Sequence, residues 1–283
     1  MARFIPAGFQ RAETCFWKKP KLVSAQMEDR VKNKIIRAMH VHDDRVEIVL
    51  VRNGHGCNTV GGRMYEVQGG DILIYNAGVV HDEHTDTVDG MDIMWCTVTD
   101  IQIETEPENV LIPLRFAPVL PQAECFAEAE ALMTMLMTEH SEELRHHLLC
   151  ALLLLLREEA MRRPDFREDN GSQLSFCIQQ YIDEHYLEDI CLEDIAVHLG
   201  KSAEYLSRTF RRATGYAPMQ YVTRRRIGEA QSWLLMSDKT VTEIAFLVGY
   251  NSVGTFHTAF RKTVGMTPQK YREHWPDHPK QKG

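Results

Sequence analysis

No Cys-x-x-Cys pair occurs in the 283 residues, and the seven cysteines (15, 57, 96, 125, 150, 177 and 191) are scattered and odd in number. That argues against a disulfide frame and for reduced thiols in a cytosol. Long apolar runs are missing too. The longest, Leu148 to Leu156, has nine residues, far short of the roughly twenty that span a bilayer. The first twenty residues lack a secretory core, because Arg3, Pro6, Glu13, Lys18 and Lys19 interrupt them. A cytoplasmic protein with no membrane partner is expected. Positive charge is also short, with 32 Lys+Arg against 40 Asp+Glu and a net charge of −8. Taken alone, that excess of acid speaks against a nucleic-acid partner. The way the charge is distributed points the other way. Residues 1–171 carry 18 bases and 28 acids, 172–199 no base and six acids, and 200–283 14 bases and 6 acids. Any electrostatic footprint for DNA is confined to the C-terminal end.

That basic end says nearly the same thing twice. Ile195-Ala196-Val197-His198-Leu199-Gly200 returns as Ile244-Ala245-Phe246-Leu247-Val248-Gly249, and Leu206 to Arg212 returns as Phe256 to Lys262. Gly215, Pro218 and Tyr221 answer Gly265, Pro268 and Tyr271. Each copy reads as a helix-turn-helix. Ile195, Ala196 and Leu199 form an apolar stripe, and Gly200 supplies the turn. Ser202 can cap the next helix, which turns Leu206 and Phe210 inward. In the second copy Asn251 or Ser252 caps, and Phe256 and Phe260 face the core.

The outward residues are polar and basic: Glu204, Tyr205, Ser207, Arg208, Arg211 and Arg212, then Thr255, His257, Thr258, Arg261 and Lys262. Such a face suits the major groove, where donors meet base edges and cations meet phosphates. A pair of plain helical hairpins with solvated faces is the alternative for either copy alone. Two copies with matched turns and matched basic ends favour double-stranded DNA.

Residues 172 to 275 resemble the DNA-binding domain of AraC/XylS-type transcription regulators. The likeness rests on Ile195-Ala196, Leu206, Phe210, Gly215, Pro218 and Tyr221, and on the connector from Tyr221 to Leu235. Ile244-Ala245, Val248-Gly249-Tyr250, Phe256, Phe260, Arg261, Gly265, Thr267-Pro268 and Tyr271-Arg272 complete it. The resemblance implies two recognition helices in successive major-groove turns, about 34 Å apart, separated by a helix over 218–236. Glu204, Ser207, Arg208, Thr255, His257 and Thr258 are then the base-edge candidates. Arg211, Arg212, Arg261 and Lys262 are the phosphate candidates.

From Lys34 to Val98 short strands alternate with turns, at Asp43-Asp44-Arg45, Asn53-Gly54, Gly69-Gly70 and Asn76-Ala77-Gly78. That spacing implies a sandwich or small barrel. The stretch resembles the cupin sensor barrel that AraC-type regulators often carry. His40, His42, Glu47 and Gly54 fall at the first motif's intervals, and Gly70, Gly78 and His81 approximate the second. Lys34, Asn76 and Thr85 depart from it. His40 and His42 share one face of a strand. With Glu47 and His81 they offer three imidazoles and a carboxylate, a set that suits a divalent transition metal. The alternatives are barrel scaffolding or polar contacts to a small-molecule effector, with Tyr75 and Trp95 as candidate walls. His55 and His84 read as surface residues near the mouth.

Four prolines between 107 and 121 mark the exit from the barrel. Glu124 to Thr138 reads helical, and Ser141 opens a second helix through Met161. The leucines 148, 149, 152, 153, 155 and 156 exceed one stripe, so burial on two sides is implied. A homodimer partner and a buried core helix are the two readings.

The expected fold is α+β multidomain, divided as follows: a cupin-like effector barrel over 1–120, a helical dimerisation segment over 121–163, a linker over 164–171, a double helix-turn-helix domain over 172–275 and a tail over 276–283. The expected function is sequence-specific transcription regulation modulated by a signal in the barrel, with RNA polymerase as a candidate partner. A metal-dependent cupin enzyme with a helical appendage is the rival, and a regulator that senses a partner protein is a third reading.

Overall fold

The structure is a computed structural model and describes residues 16, 18–29, 36–85, 90–164 and 170–274. Lys34, most of the expected linker and the tail lie outside the described residues. The longest strand, β3 (Val46–Val60), is the spine of the N-terminal half. Its first part pairs with β5 (Ile72–Tyr75) and β7 (Met91–Thr99), its second with β4 (Arg63–Gln68) and β6 (His81–Thr85). Beyond these lie β1 (Lys21–Glu28) on β7, β8 (Val119–Leu120) on β5 and β2 (Arg37–His40) on β6, all antiparallel. Among the described strands the sheet does not close into a ring.

Asn53-Gly54, expected as a turn, is instead a bend within β3. The register with β7 shifts between Val51 and Asn53, and Gly54 has φ 88°. A Cβ on Gly54 would strike the Gly90 carbonyl oxygen. A bulge of this kind lets one strand turn from one set of partners to another. The reversal comes at Gly61-Gly62, between β3 and β4. Strands β1 and β6 are not visible in the sequence because neither is an apolar run.

Side chains alternate across the sheet. Val46, Ile48, Leu50, Ile72, Ile74, Met94, Cys96 and Val98 share one core with α1 (Phe126–Leu136) and α2 (Glu142–Arg162). Val49, Val51, Leu73, Tyr75, Met91 and Ile93 pack together on the opposite face. Ser141 caps α2 by accepting from the Leu144 amide. Leu148, Leu149, Leu152, Leu153 and Leu156 are all buried within this core. Two-sided burial is therefore met inside one chain, by α1 and the sheet. Of the two readings, Leu152 meets the buried core helix, since its side chain is fully enclosed.

The C-terminal half is helical: α3 (Asn170–His185), α4 (Leu192–Leu199), α5 (Ala203–Thr214), α6 (Pro218–Met236), α7 (Val241–Leu247), α8 (Val253–Val264) and α9 (Pro268–His274). Gly200 and Gly215 end α4 and α5 in the left-handed conformation. Ser202 and Ser252 cap α5 and α8. The connector α6 spans the expected 218–236, opened by Pro218 in its first turn.

Candidate ligand cluster and DNA-facing helices

Because β2 pairs with β6, His40 stands opposite His81, and Glu47 in β3 stands opposite Tyr75 in β5. The chain brings His42 to the same place. One ligand atom from each of His40, His42, Glu47 and His81 can be chosen so that all lie within 4.8 Å of one another. His42 Nε2 is 3.2 Å from Glu47 Oε2, and His81 Nε2 is 3.6 Å from the same oxygen.

The backbone sets the chemistry of two rings. His40 Nδ1 lies 3.0 Å from the Ala38 carbonyl oxygen and His81 Nδ1 2.9 Å from that of Val79. A carbonyl only accepts, so each Nδ1 donates, and Nε2 is the ring atom turned toward the cluster. Both Nε2 atoms are buried with no hydrogen-bond partner, and the buried Glu47 Oε2 has only His42 and His81 beside it. Burial, with His81, Arg37 and His42 nearby, holds the His40 pKa well below the usual histidine range. Burial also lowers that of His42, more than Glu47 raises it. Glu47 shows the opposite balance. Burial would raise its pKa, but His42, His81 and Arg37 together hold it well below the ordinary carboxylate value. Three imidazoles beside a carboxylate are a metal-ligating set, and buried polar atoms without a hydrogen bond are costly. The donors present fit a divalent transition metal, whose bonds of about 2.0–2.2 Å would need only a modest closing of the cluster.

Tyr75 belongs to this site. Its ring stacks on His81 at 4.0 Å, and its hydroxyl accepts from Asn58 Nδ2 at 2.7 Å. Trp95 lies further along β7, half-buried, with its indole nitrogen donating to Glu28 at 2.9 Å. It is not brought into the cluster. His55 is exposed, and the side chain of His84 lies outside the described residues.

At the other end, Glu204, Tyr205, Arg208, Arg211 and Arg212 are exposed on α5, with Ser207 half-buried. Thr255, Thr258, Arg261 and Lys262 are exposed on α8, with His257 half-buried. Arg208 lies 3.8 Å from Glu204 one turn back, and the Thr258 hydroxyl donates to the Gly254 carbonyl at 3.0 Å.

Not every base of the C-terminal end faces solvent. Arg224 Nη2 donates to Asp82 at 2.8 Å, Arg225 Nε to Asp183 at 2.7 Å, and Arg226 Nε to the Tyr186 carbonyl at 2.6 Å. Each also lies over a tyrosine ring: Tyr216, Tyr186 and Tyr250 respectively. A count of charge along the sequence assigns all three to the DNA footprint. Three consecutive residues on a helix point about 100° apart, so they cannot share one DNA-facing side.

Residues 29–163 match the model of the AraC-like ligand binding domain, and residues 195–274 match that of a helix-turn-helix domain. The chain belongs to the AraC family of transcription regulators. It is 27% identical over 247 residues to the transcriptional activator RhaS of Salmonella arizonae, covering 82% of this chain and 86% of that one. It is 25% identical over 244 residues to the uncharacterised regulator YdiP of Escherichia coli K12, covering 82% and 80%. The solved C-terminal domain of AraT from Geobacillus stearothermophilus is similar over 37% of this chain and 88% of that one, at 34% identity and a TM-score of 0.36. The protein is a DNA-binding regulator with a cupin-like ligand-binding domain ahead of its helix-turn-helix domain.

Proposed function

We propose that this AraC-family regulator takes its signal at His40, His42, Glu47 and His81, with Tyr75 as a wall, and delivers it through α5 and α8. The supporting observation is the convergence of buried His40 Nε2 and His81 Nε2, neither in a hydrogen bond, on Glu47 Oε2, which has His42 Nε2 3.2 Å away. A divalent transition metal, alone or with an anionic effector completing its coordination, fits those atoms. In this reading Glu204, Ser207, Arg208, Thr255, His257 and Thr258 meet base edges, with Tyr205 beside them. Arg211, Arg212, Arg261 and Lys262 meet phosphates. The protein is not an enzyme, because the cluster serves as a receptor for the signal.

The working domains are the cupin-like effector domain over 1–120, the helical segment over 121–163, the linker over 164–171, the DNA-binding domain over 172–275 and the tail over 276–283. The setting is cytoplasmic, and no helix among the described residues is long and apolar enough to cross a membrane. RNA polymerase is the downstream partner. A homodimer would use the outer side of α2, where Leu144 is exposed and Leu154 is half-buried.

The test compares wild type with His40→Ala/His81→Ala, measuring metal content after purification and promoter response in cells. Loss of metal and of switching together is the expected result. A folded double variant that still responds normally would remove the cluster from signalling. Metal-free wild type that switches normally would remove the metal.

A further inference from the structure

The four-residue cluster and the DNA-binding domain lie on opposite faces of the same two strands. Residues of β6 alternate between them, and in β2, whose register slips between Arg37 and His40, both Ala38 and Met39 turn to the helices. His40 and His81 turn to the cluster. Met39 and Asp82, their immediate neighbours, turn to the helices. Met39 is fully buried in the core of the first helix-turn-helix with Ile195, Leu206, Phe210 and Tyr221. Ala38 is buried in the core of the second, with Ile244, Phe256 and Phe260. Asp82, with no exposed surface, accepts from Arg224, from Tyr216 Oη at 3.3 Å and from the Thr59 amide at 2.7 Å.

The connector α6 is seated on β2 by backbone as well as side chain. Gln231 places its amide along the strand, accepting from Ala38 N at 2.8 Å and donating to the Ile36 carbonyl at 2.9 Å. Arg225 donates to the Met39 carbonyl at 3.3 Å. Gly228 is where the helix crosses the strand. A Cβ there would fall within the Met39 carbonyl oxygen and 2.9 Å from that of Ala38. That second oxygen is the one His40 Nδ1 donates to. The Ala38 carbonyl that orients a cluster ring therefore lies against this helix, which bonds the backbone on either side of it, at Ala38 N and at the Met39 carbonyl.

We infer that the β2–β6 pair is a two-sided relay, in which seating α6 on β2 pre-forms the His40–His42–Glu47–His81 site and an occupant of that site in turn tightens the seat. The inference rests on the reading that the cluster binds a ligand. Its sign is fixed by the geometry, because seating holds the Ala38–Met39 backbone, whose Ala38 carbonyl points His40 Nε2 at the other donors. Binding and seating must then favour each other by the same factor.

The experiment uses the full chain and cobalt(II), whose visible absorption reports its own ligand shell. Gly228→Ala and Gln231→Met touch no cluster residue. Both should weaken cobalt binding about fivefold or more, a typical lower bound for coupled sites, while the bound-ion spectrum stays that of wild type. Affinities within about twofold of wild type, the ordinary scatter of independent sites, or tighter than wild type, would overturn the relay. If wild type shows no cobalt bands, the metal reading fails separately. The relay is then decided by unfolding His81→Asn, Gln231→Met and their double variant in urea. Non-additive losses support it and additive losses overturn it.

Discussion

The two helix-turn-helix units are buried alike residue by residue: the exposure pattern over 201–220 repeats without a change over 251–270. Their surroundings differ. A Cβ on Gly215 would lie 2.9 Å from Met64 Sδ of the sensor, whereas one on Gly265 meets nothing within 4 Å. Tyr216 bonds Asp82, while its counterpart Met266 packs on the core of its own unit. Among the described residues the first core takes in Met39 and Val80 from the sensor, with Val41 packed against it, and the second takes in Ala38. One sequence logic folds both units, and they diverge where the sensor touches. The first unit is anchored by charge and packing, and the second is the freer of the two.

The largest effect should come from removing the anchor's charge. Asp82→Asn leaves the Arg224 guanidinium buried without its anion, a change that costs about 3–5 kcal/mol. Urea denaturation reads the total. Amide exchange tests the comparison, since protection should fall across 203–214 and hold across 253–264. Equal losses in both helices would show that the units are not held differently.

A smaller effect separates the two reading surfaces. Arg208 and Thr258 occupy equivalent positions. Arg208 is a free-standing donor fork apart from its long contact to Glu204, and Thr258 already donates its hydroxyl to its own helix. Arg208→Ala should cost about 1–3 kcal/mol of DNA affinity and relax base preference in its half of the site. Thr258→Ala should cost less. Arg212→Ala and Lys262→Ala should each lower the salt slope by about one without changing preference. Binding to a duplex selected by wild type from a random pool, measured at several salt concentrations, distinguishes them.

Much of this is legible in the sequence because it is written locally. Gly200, Ser202, Leu206 and Phe210 specify a turn, a cap and a stripe within one short stretch. His40 and Glu47 stand on successive strands, but His42 does not share a strand face with His40 as expected, because β2 ends at His40 and the segment beyond it carries His42 to the cluster. What stays hidden depends on pairing across long separations. Asp82 reads as one more acid after a candidate histidine, and only the packing of β6 against α6 pairs it with Arg224. Gly228 looks like a costly residue in a helix, until the Met39 carbonyl is found where its Cβ would be. The leucines of α2 announce burial on two sides, but composition alone does not say whether the second side is α1 or another copy of the chain. Gly54 reads as a turn because local preference favours one there, and long-range pairing with β7 overrides it.

The smallest expected effect lies at the first turns of the two recognition helices. Ser202 Oγ accepts from the Tyr205 amide at 3.3 Å, and Ser252 Oγ from the Thr255 amide at 3.5 Å. Glu204 sits in the first turn of α5, where a negative charge meets the helix's positive end, and α8 has no acid there. The start of α5 is thus held twice and that of α8 once, by the longer bond. Replacing a capping serine by alanine costs about 0.5–2 kcal/mol. Ser202→Ala should fall near the middle of that range and Ser252→Ala at its low end. Both truncations free the turn that carries Tyr205 or Thr255, so the loss should also appear as faster amide exchange at those two residues. Because the weaker cap protects a less firmly held turn, Thr255 should exchange faster than Tyr205 in wild type. The reverse order would mean that α8, despite its freer setting, presents the more ordered face to DNA.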